Sequence, residues 1–546
     1  FGIDGLFNSQ LNLAAGQTMT VNGTLTTAIH VNNAPTAGLN YVLINAADDN
    51  AIFGSGTFDL NPVVFNGGSF TYKLDKITVG AGEKWVLTPT AVAAADNVWW
   101  KGDLGGIGTG VWSASTTSGT GFPTNWDTDQ TSGTDAAVPP DSGSIVHFSA
   151  TGATNFATTL GANLTIQELI VHSGGSAVSV GGANTLTIGN ATDAAGITLQ
   201  TGAPNLSFSS NVALGKAQSF NIADASSTLT FTGALSGVGP LGINDNGSST
   251  GTMVLGGAAG IATYSGATNL AAGKLVLQGG ASNRLPTTTA LTMGNATQGA
   301  TLQLGDGSGA SSTTIGTLNT GAATTNAIVG GATTASTLTI VQAADGSFNG
   351  AIGGAGTNEN QIAIVKQGGS TLTLNGANTY VGSTTINDGT LMLGTTASLS
   401  GSAGLSIVAG AGKTAAFDLN GRTATLAGAV TLGGGDSAAS ASILNSTTGG
   451  LLTLGGNVTY DATNNPLASV INANLSNGTA ARTFTVNDST TVASSNSELT
   501  LNGTYASANS ATVTGTGNMT INGAWTLTGS NLSLTKSGTG TLTINA

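Results

Sequence analysis

Along most of this chain, apolar and hydroxyl-bearing residues alternate with a period of two in windows four or five residues long. Thr185–Ile188 and Thr337–Ile340 read TLTI, Thr228–Phe231 reads TLTF, Thr301–Leu304 reads TLQL and Thr371–Leu374 reads TLTL. Leu452–Leu454, Ser497–Leu501 and Thr541–Ile544 follow the same pattern. A period of two sends successive side chains to opposite faces of a strand. The pattern therefore predicts short strands with Thr toward water and Leu or Ile inward. Between them stand corners such as Asn375-Gly376, Asn387-Asp388-Gly389 and Asn420-Gly421. Gly and Asn accept the left-handed backbone that tight corners demand. One pair of such strands cannot bury its own apolar face, but a stack of many can. Strands this short, with corners this frequent, suit the coils of a parallel β-helix better than a sandwich. With a coil on the order of twenty residues, residues 151–546 would hold roughly twenty rungs about 4.8 Å apart. Asn or Thr aligned on successive rungs would form side-chain ladders.

Three segments follow from the same pattern. Residues 1–95 carry strand candidates at Gln17–Asn22, Tyr41–Ile44, Thr57–Asp59, Ser69–Leu74 and Lys84–Leu87, a β-rich N-terminal piece of solenoid. Residues 96–150 hold four of the six tryptophans, Trp99, Trp100, Trp112 and Trp126, together with Pro123, Pro139 and Pro140. This Trp/Gly-rich stretch is expected to be an inserted connector or cap whose indoles are local core, with an aromatic sugar platform as the alternative. Residues 151–546 are the repeat array. The predicted fold class is all-β, a parallel β-solenoid with that inserted segment.

Composition removes several classes. Gly is 84 of 546 residues, and charged residues are only 7%. That balance would suit a disordered chain, but the regular alternation of Leu, Ile and Val argues against disorder. There is no cysteine, which excludes disulfides, thiolate zinc sites and a thiol nucleophile. The formal net charge is −13 with no Lys/Arg cluster, so no nucleic-acid partner is expected. No apolar run reaches the length of a membrane-spanning helix. The start at Phe1 is read as a removed leader or a piece of a longer polypeptide.

Three phrases recur. Ser370–Gly394 reads STLTLNGANTYVGSTTINDGTLMLG, Gly251–Gly279 reads GTMVLGGAAGIATYSGATNLAAGKLVLQG, and Lys536–Asn545 reads KSGTGTLTIN. They resemble the autotransporter-associated β-strand repeat, or passenger-associated transport repeat. The resemblance rests on Thr371, Leu372, Leu374, Gly376, Asn378, Tyr380, Gly382, Ile386, Gly389 and Leu391, and on Tyr264, Ser265, Gly266, Gly273 and Leu275 in the earlier copy. It implies a right-handed β-helix passenger exported across the bacterial envelope and displayed at the cell surface or beyond it. No aromatic-girdled barrel strands precede Ala546. Export is therefore expected to use a separate barrel, a portion outside this sequence or another route.

Candidate chemistry is sparse. His30, His147 and His172 show no ligand spacing and are read as surface or packing residues. Lys216, Lys274, Arg284, Lys366, Lys413, Arg422 and Arg482 stand singly, so no basic catalytic bed forms. No G-x-S-x-G elbow has a suitable context, and Gly105–Gly110 lacks the strand and helix of a dinucleotide loop. The densest acids, Asp127, Asp129, Asp135 and Asp141, are weak Ca²⁺ candidates without EF-hand or nonapeptide order. Asp127 and Asp129 would also be the carboxylates of a polysaccharide-degrading enzyme, the least favoured function. No cofactor is expected. The favoured function is a non-enzymatic surface fibre, layer or adhesin subunit whose solenoid continues across a chain boundary, by head-to-tail pairing of copies into a homopolymer or by covalent continuation in a longer precursor. The alternative is a monomeric adhesin binding a surface glycan or host through Trp99, Trp100, Trp112 and Trp126.

Overall fold

The computed structural model describes residues 94–104, 110–114, 124–131, 133–136, 138–189, 196–258, 260–321, 325–394 and 396–545, and the course of the strands within 2–92. Among the described residues there are strands and turns but no helix, and hence no helix that is long and apolar enough to cross a membrane. The chain forms two compact units, Phe1–Gln218 and Ser219–Ala546.

In the first unit, strands at Met19–Thr20, Tyr41–Ala46, Thr57–Asp59, Gly68–Val79 and Gly82–Val92 occupy the predicted windows. Gly68–Val79 and Gly82–Val92 pair antiparallel, whereas Thr24–Thr26 with Thr57–Asp59 and Leu11–Leu13 with Tyr41–Ala46 pair in parallel. From Asn97 onward the strands pair in a parallel coil, apart from Trp126–Asp127, which pairs antiparallel with Trp99 and Trp100. Asn97–Trp100, Ile145–Phe148, Glu168–Val171 and Ile197–Leu199 lie side by side in one sheet. Leu164–Ile166, Thr185–Ile188 and Asn211–Leu214 do so in another. The Trp-rich segment thus contributes a rung of its own.

The second unit contains three long parallel sheets of ten, nine and seven strands, running from Thr313–Ile315 to Leu534–Lys536, from Gly346–Phe348 to Leu542–Ile544 and from Ala377–Asn378 to Trp525–Leu527. Parallel strands of a single chain need a crossover, and here each crossover is simply the rest of the coil. Among the described residues the parallel strands stack as a β-solenoid of about 16 turns. Most coils are longer than twenty residues, and their lengths are uneven. Thr371 lies beside Thr390, an offset of 19, whereas Ser469 lies beside Leu499, an offset of 30.

Alternation decides which residues make the core. Thr371–Leu374 buries its leucines and leaves its threonines half-exposed, as do Thr185–Ile188 and Thr228–Phe231. The register then stacks like on like. Leu372, Leu391, Phe417, Ile443, Ile471, Leu501, Ile521 and Ile544 form one continuous apolar column. All but Ile544 are at most 2% exposed. Each such burial contributes about 2 kcal/mol, so the column and its neighbours supply the main favourable term of folding.

Candidate functional site

The recurring phrase is where the polar residues turn inward. In Thr384–Ile386 the alternation buries Thr384 and Ile386, so Thr384 faces the core, opposite to the Thr-out rule. Its hydroxyl meets the Tyr380 hydroxyl at 2.7 Å and that of Ser402, one coil on, at 3.2 Å. The earlier copy repeats this device. Tyr264 Oη lies 2.6 Å from Thr268 Oγ1, which lies 2.8 Å from Thr289 Oγ1. A buried phenol needs a partner, and a Thr four residues on supplies it in both copies. Burial pushes the Tyr380 phenol up to about 12.

Asn378 joins three coils. Fully buried, it accepts from Ile352 N–H at 3.1 Å and donates to the carbonyls of Gly376 at 2.9 Å and Ser398 at 3.2 Å. The earlier copy has Ala262 at the matching place. There the buried Asn244 acts similarly, accepting from Ile222 N–H and donating to Gly251 and Ala272.

Buried cations are a second device that the linear pattern conceals. Lys366 is fully buried, and its ammonium donates to the carbonyls of Gln367 (3.0 Å), Gly368 (2.6 Å) and Asp388 (3.0 Å). Asp388 belongs to the next coil. Burial lowers the Lys366 amine to about 8, opposed by Asp388 and Asp345. Arg284, also fully buried, donates to Gln278, Gly260 and Gly279 carbonyls. Lys536 repeats the Lys366 arrangement with Ser537 and Gly538. These side chains fill the hydrogen-bonding capacity of corner carbonyls.

The passenger-associated-transport-repeat model matches residues 248–277, 364–393 and 534–546. The chain carries passenger-associated-transport repeats. The first match contains the Tyr264–Thr268 pair, the second holds Lys366, Asn378, Tyr380 and Thr384, and the third holds Lys536. No curated protein and no solved structure matches the chain.

The other predicted residues lie in the first unit. Trp100, Trp112 and Trp126 are fully buried, with Trp126 edge-on to both of the others at 4.9 and 5.1 Å. Their indole N–H groups donate to Thr154 O, Thr158 Oγ1 and Trp112 O. Trp99 alternates to the outer face, where it is half-buried. Asp127 is buried beside Lys101 at 3.7 Å, and desolvation raises its carboxyl despite that cation. Asp129 accepts from Thr131 N–H, and Asp141 accepts from Gly143 and Ala94 N–H. Asp135 joins Asp127 by a backbone bridge, and desolvation raises its carboxyl too. Among the described residues, no group of three or more His, Cys, Asp or Glu is arranged to hold a metal ion.

Histidine corrects the sequence expectation. His147 Nδ1 and His172 Nε2 are 2.9 Å apart, and His147 Nε2 is 2.9 Å from Asn97 Oδ1. Both rings stack on Trp99, at 4.1 and 4.8 Å. Burial lowers His147 to about 4 and also lowers His172. The two are 25 residues apart, two more than the 23-residue offset that sets His147 opposite Ile170, so His172 follows the paired strand and meets His147 diagonally. His30 lies outside the residues whose side chains are described.

Proposed function

We propose that this passenger-like chain is a non-enzymatic structural protein of the bacterial cell surface, a β-solenoid shaft whose coils join end to end. The observation that carries this reading is where the distinctive residues go. Asn378, Tyr380, Thr384, Lys366 and Arg284 all spend their polar atoms on the solenoid's own backbone and hydroxyls. They make the coil self-sufficient and leave Thr, Ser and Asn as its skin. Of the four tryptophans considered for a glycan or host surface, only Trp99 retains an exposed part.

End-to-end joining is supported by the last described rung. An external amide ladder runs from Asn472 through Asn502 and Asn522 to Asn545, with steps of 2.9, 2.8 and 2.9 Å. Lys536 engages two carbonyls of its own coil where Lys366 also engages a third from the coil above. A further coil satisfies both, supplied by a second copy or by covalent continuation in a longer polypeptide. Open-ended contacts of this kind give fibres rather than closed rings.

The test is negative-stain microscopy with sedimentation velocity across a wide concentration range. Linear particles that lengthen with concentration are expected. A monodisperse 53.0 kDa species at every concentration would remove the end-joining. Turnover of an acidic polysaccharide that disappears in Asp127→Asn would remove the non-enzymatic reading.

A further inference from the structure

We propose that the outer face of the first unit carries a two-histidine chelate for a divalent transition-metal ion, with Cu²⁺ preferred. The ligands are His147 Nδ1 and His172 Nε2.

The geometry fits this role. Asn97 Oδ1 can only accept, so His147 Nε2 carries the ring hydrogen and Nδ1 accepts a hydrogen bond from His172 Nε2–H, a hydrogen that an arriving metal ion replaces as His172 shifts it to Nδ1. This is how an outer partner fixes the tautomer of a metal-binding imidazole. Gln200 hydrogen-bonds the His172 ring and gives that residue a matching partner. An amide can serve either tautomer, donating to the imidazole or accepting from it.

The separation that the hydrogen bond sets is close to that of a cis chelate. Two metal–nitrogen bonds of about 2.0 Å whose nitrogens lie 2.9 Å apart enclose an angle of about 90°. That is the cis angle of square-planar or octahedral coordination, the habit of Cu²⁺ and Ni²⁺. A tetrahedral Zn²⁺ would want the nitrogens about 3.3 Å apart. Among divalent ions bound by nitrogen, Cu²⁺ also stands at the top of the affinity order. Water completes the coordination, because His172 is only half-buried and Asn97 and Gln200 are exposed.

The scaffold is rigid. His147 sits on Ile145–Phe148, and His172 directly follows Glu168–Val171, the strand paired with it in parallel. His172 N–H donates to Phe148 O at 2.7 Å, which holds the second ring over the first. The Trp99 indole, stacked on both rings, is a built-in reporter, because bound Cu²⁺ quenches a contacting indole.

The full chain is titrated with CuCl₂, NiCl₂ and ZnCl₂ in a weakly coordinating buffer, followed by calorimetry and tryptophan fluorescence. One Cu²⁺ per chain is expected, bound more tightly than Ni²⁺ and Zn²⁺, with quenching. His147→Gln and His172→Gln should each abolish the saturable site, and Asn97→Ala should weaken it about tenfold. His30→Gln should leave it intact, and Trp99→Phe should keep the binding but lose most of the quenching. The electron paramagnetic resonance spectrum of the unmodified Cu²⁺-loaded chain should show coupling to two imidazole nitrogens, a readout that needs no variant to fold. Absence of that coupling, tighter binding of Zn²⁺ than of Cu²⁺, or an unchanged isotherm in both histidine variants would overturn the proposal.

Discussion

Single buried polar residues set the tolerance of this solenoid to change. Asn378→Ala removes one acceptor and two donors at once and strands the Ile352 N–H and the carbonyls of Gly376 and Ser398. Each orphaned buried group costs about 1–3 kcal/mol, so a loss of about 3 kcal/mol is expected in urea unfolding of the full chain. A change at an exposed position such as Thr334→Ala should cost well under 1 kcal/mol. Glu498 behaves in the opposite sense. It is fully buried, accepts from Asn518 N–H and leaves Oε1 without a partner. Desolvation raises its carboxyl; the Asn518 hydrogen bond works against that rise and the facing Asp488 adds to it, with Tyr460 also nearby. The unfolded carboxyl releases its proton near 4.5 and the folded one at higher pH. Above 4.5 the unfolded chain therefore binds fewer protons, and stability falls as pH rises through the folded value. Glu498→Gln keeps the acceptor and removes the charge. Thermal unfolding should show the variant more stable than the parent at pH 8 and level with it at pH 4. Equal midpoints at both pH values would show that Glu498 contributes nothing to the slope.

At the level of strands and corners, stacking distance controls what a corner can hold. A Cβ at Gly376 would stand 2.0 Å from Gly350 O, and one at Gly389, where φ is +66°, would stand 2.4 Å from Gly368 O. Backbone of the preceding coil occupies the space in both cases, so no rotamer change can relieve the contact. Gly376→Val is expected to lower the thermal midpoint more than Gly412→Ala, whose Cβ meets nothing within 4 Å but whose φ of +66° still carries strain. Calorimetry of the two variants decides it. These constraints explain what was legible in the sequence. Strands at Thr185–Ile188, Thr228–Phe231 and Thr371–Leu374 stand where the alternation put them, because a period of two depends only on which face is wet. Coil length was not legible. The corners between strands vary from tight turns to loops such as that after Ala462, and no local pattern counts them. With the coil length hidden, the meeting of His147 with His172 was hidden too. So were the roles of Lys366 and Arg284, since their partners are backbone carbonyls, some from neighbouring coils, and carry no side-chain signature.

In such an array stability is close to a sum of coils and of contacts between neighbouring coils, so a rung that no described coil covers takes its missing contact from a second copy or from a continuation of the chain. The apolar column stays at most 2% exposed from Leu372 through Ile521, and then Ile544 is 50% exposed. The strand Leu542–Ile544 lies at the end of its sheet, with Ile544 above Ile521. A row of free backbone groups beside an uncovered aliphatic is the usual template for strand addition, and an inward-pointing charge is the usual way such edges are blocked. Ile544→Lys places an ammonium on top of the column. An arriving coil would have to bury that charge without a carboxylate, which costs far more than one aliphatic contact returns. The chain's own fold loses little, since no described strand covers Ile544. Sedimentation velocity should therefore find the variant as single chains under conditions where the parent forms longer species, with identical far-ultraviolet circular dichroism. Thr543→Lys, on the opposite face of the same strand, should leave the length distribution unchanged. If Ile544→Lys assembles as well as the parent, the joining surface lies elsewhere and the last described rung plays no part in it.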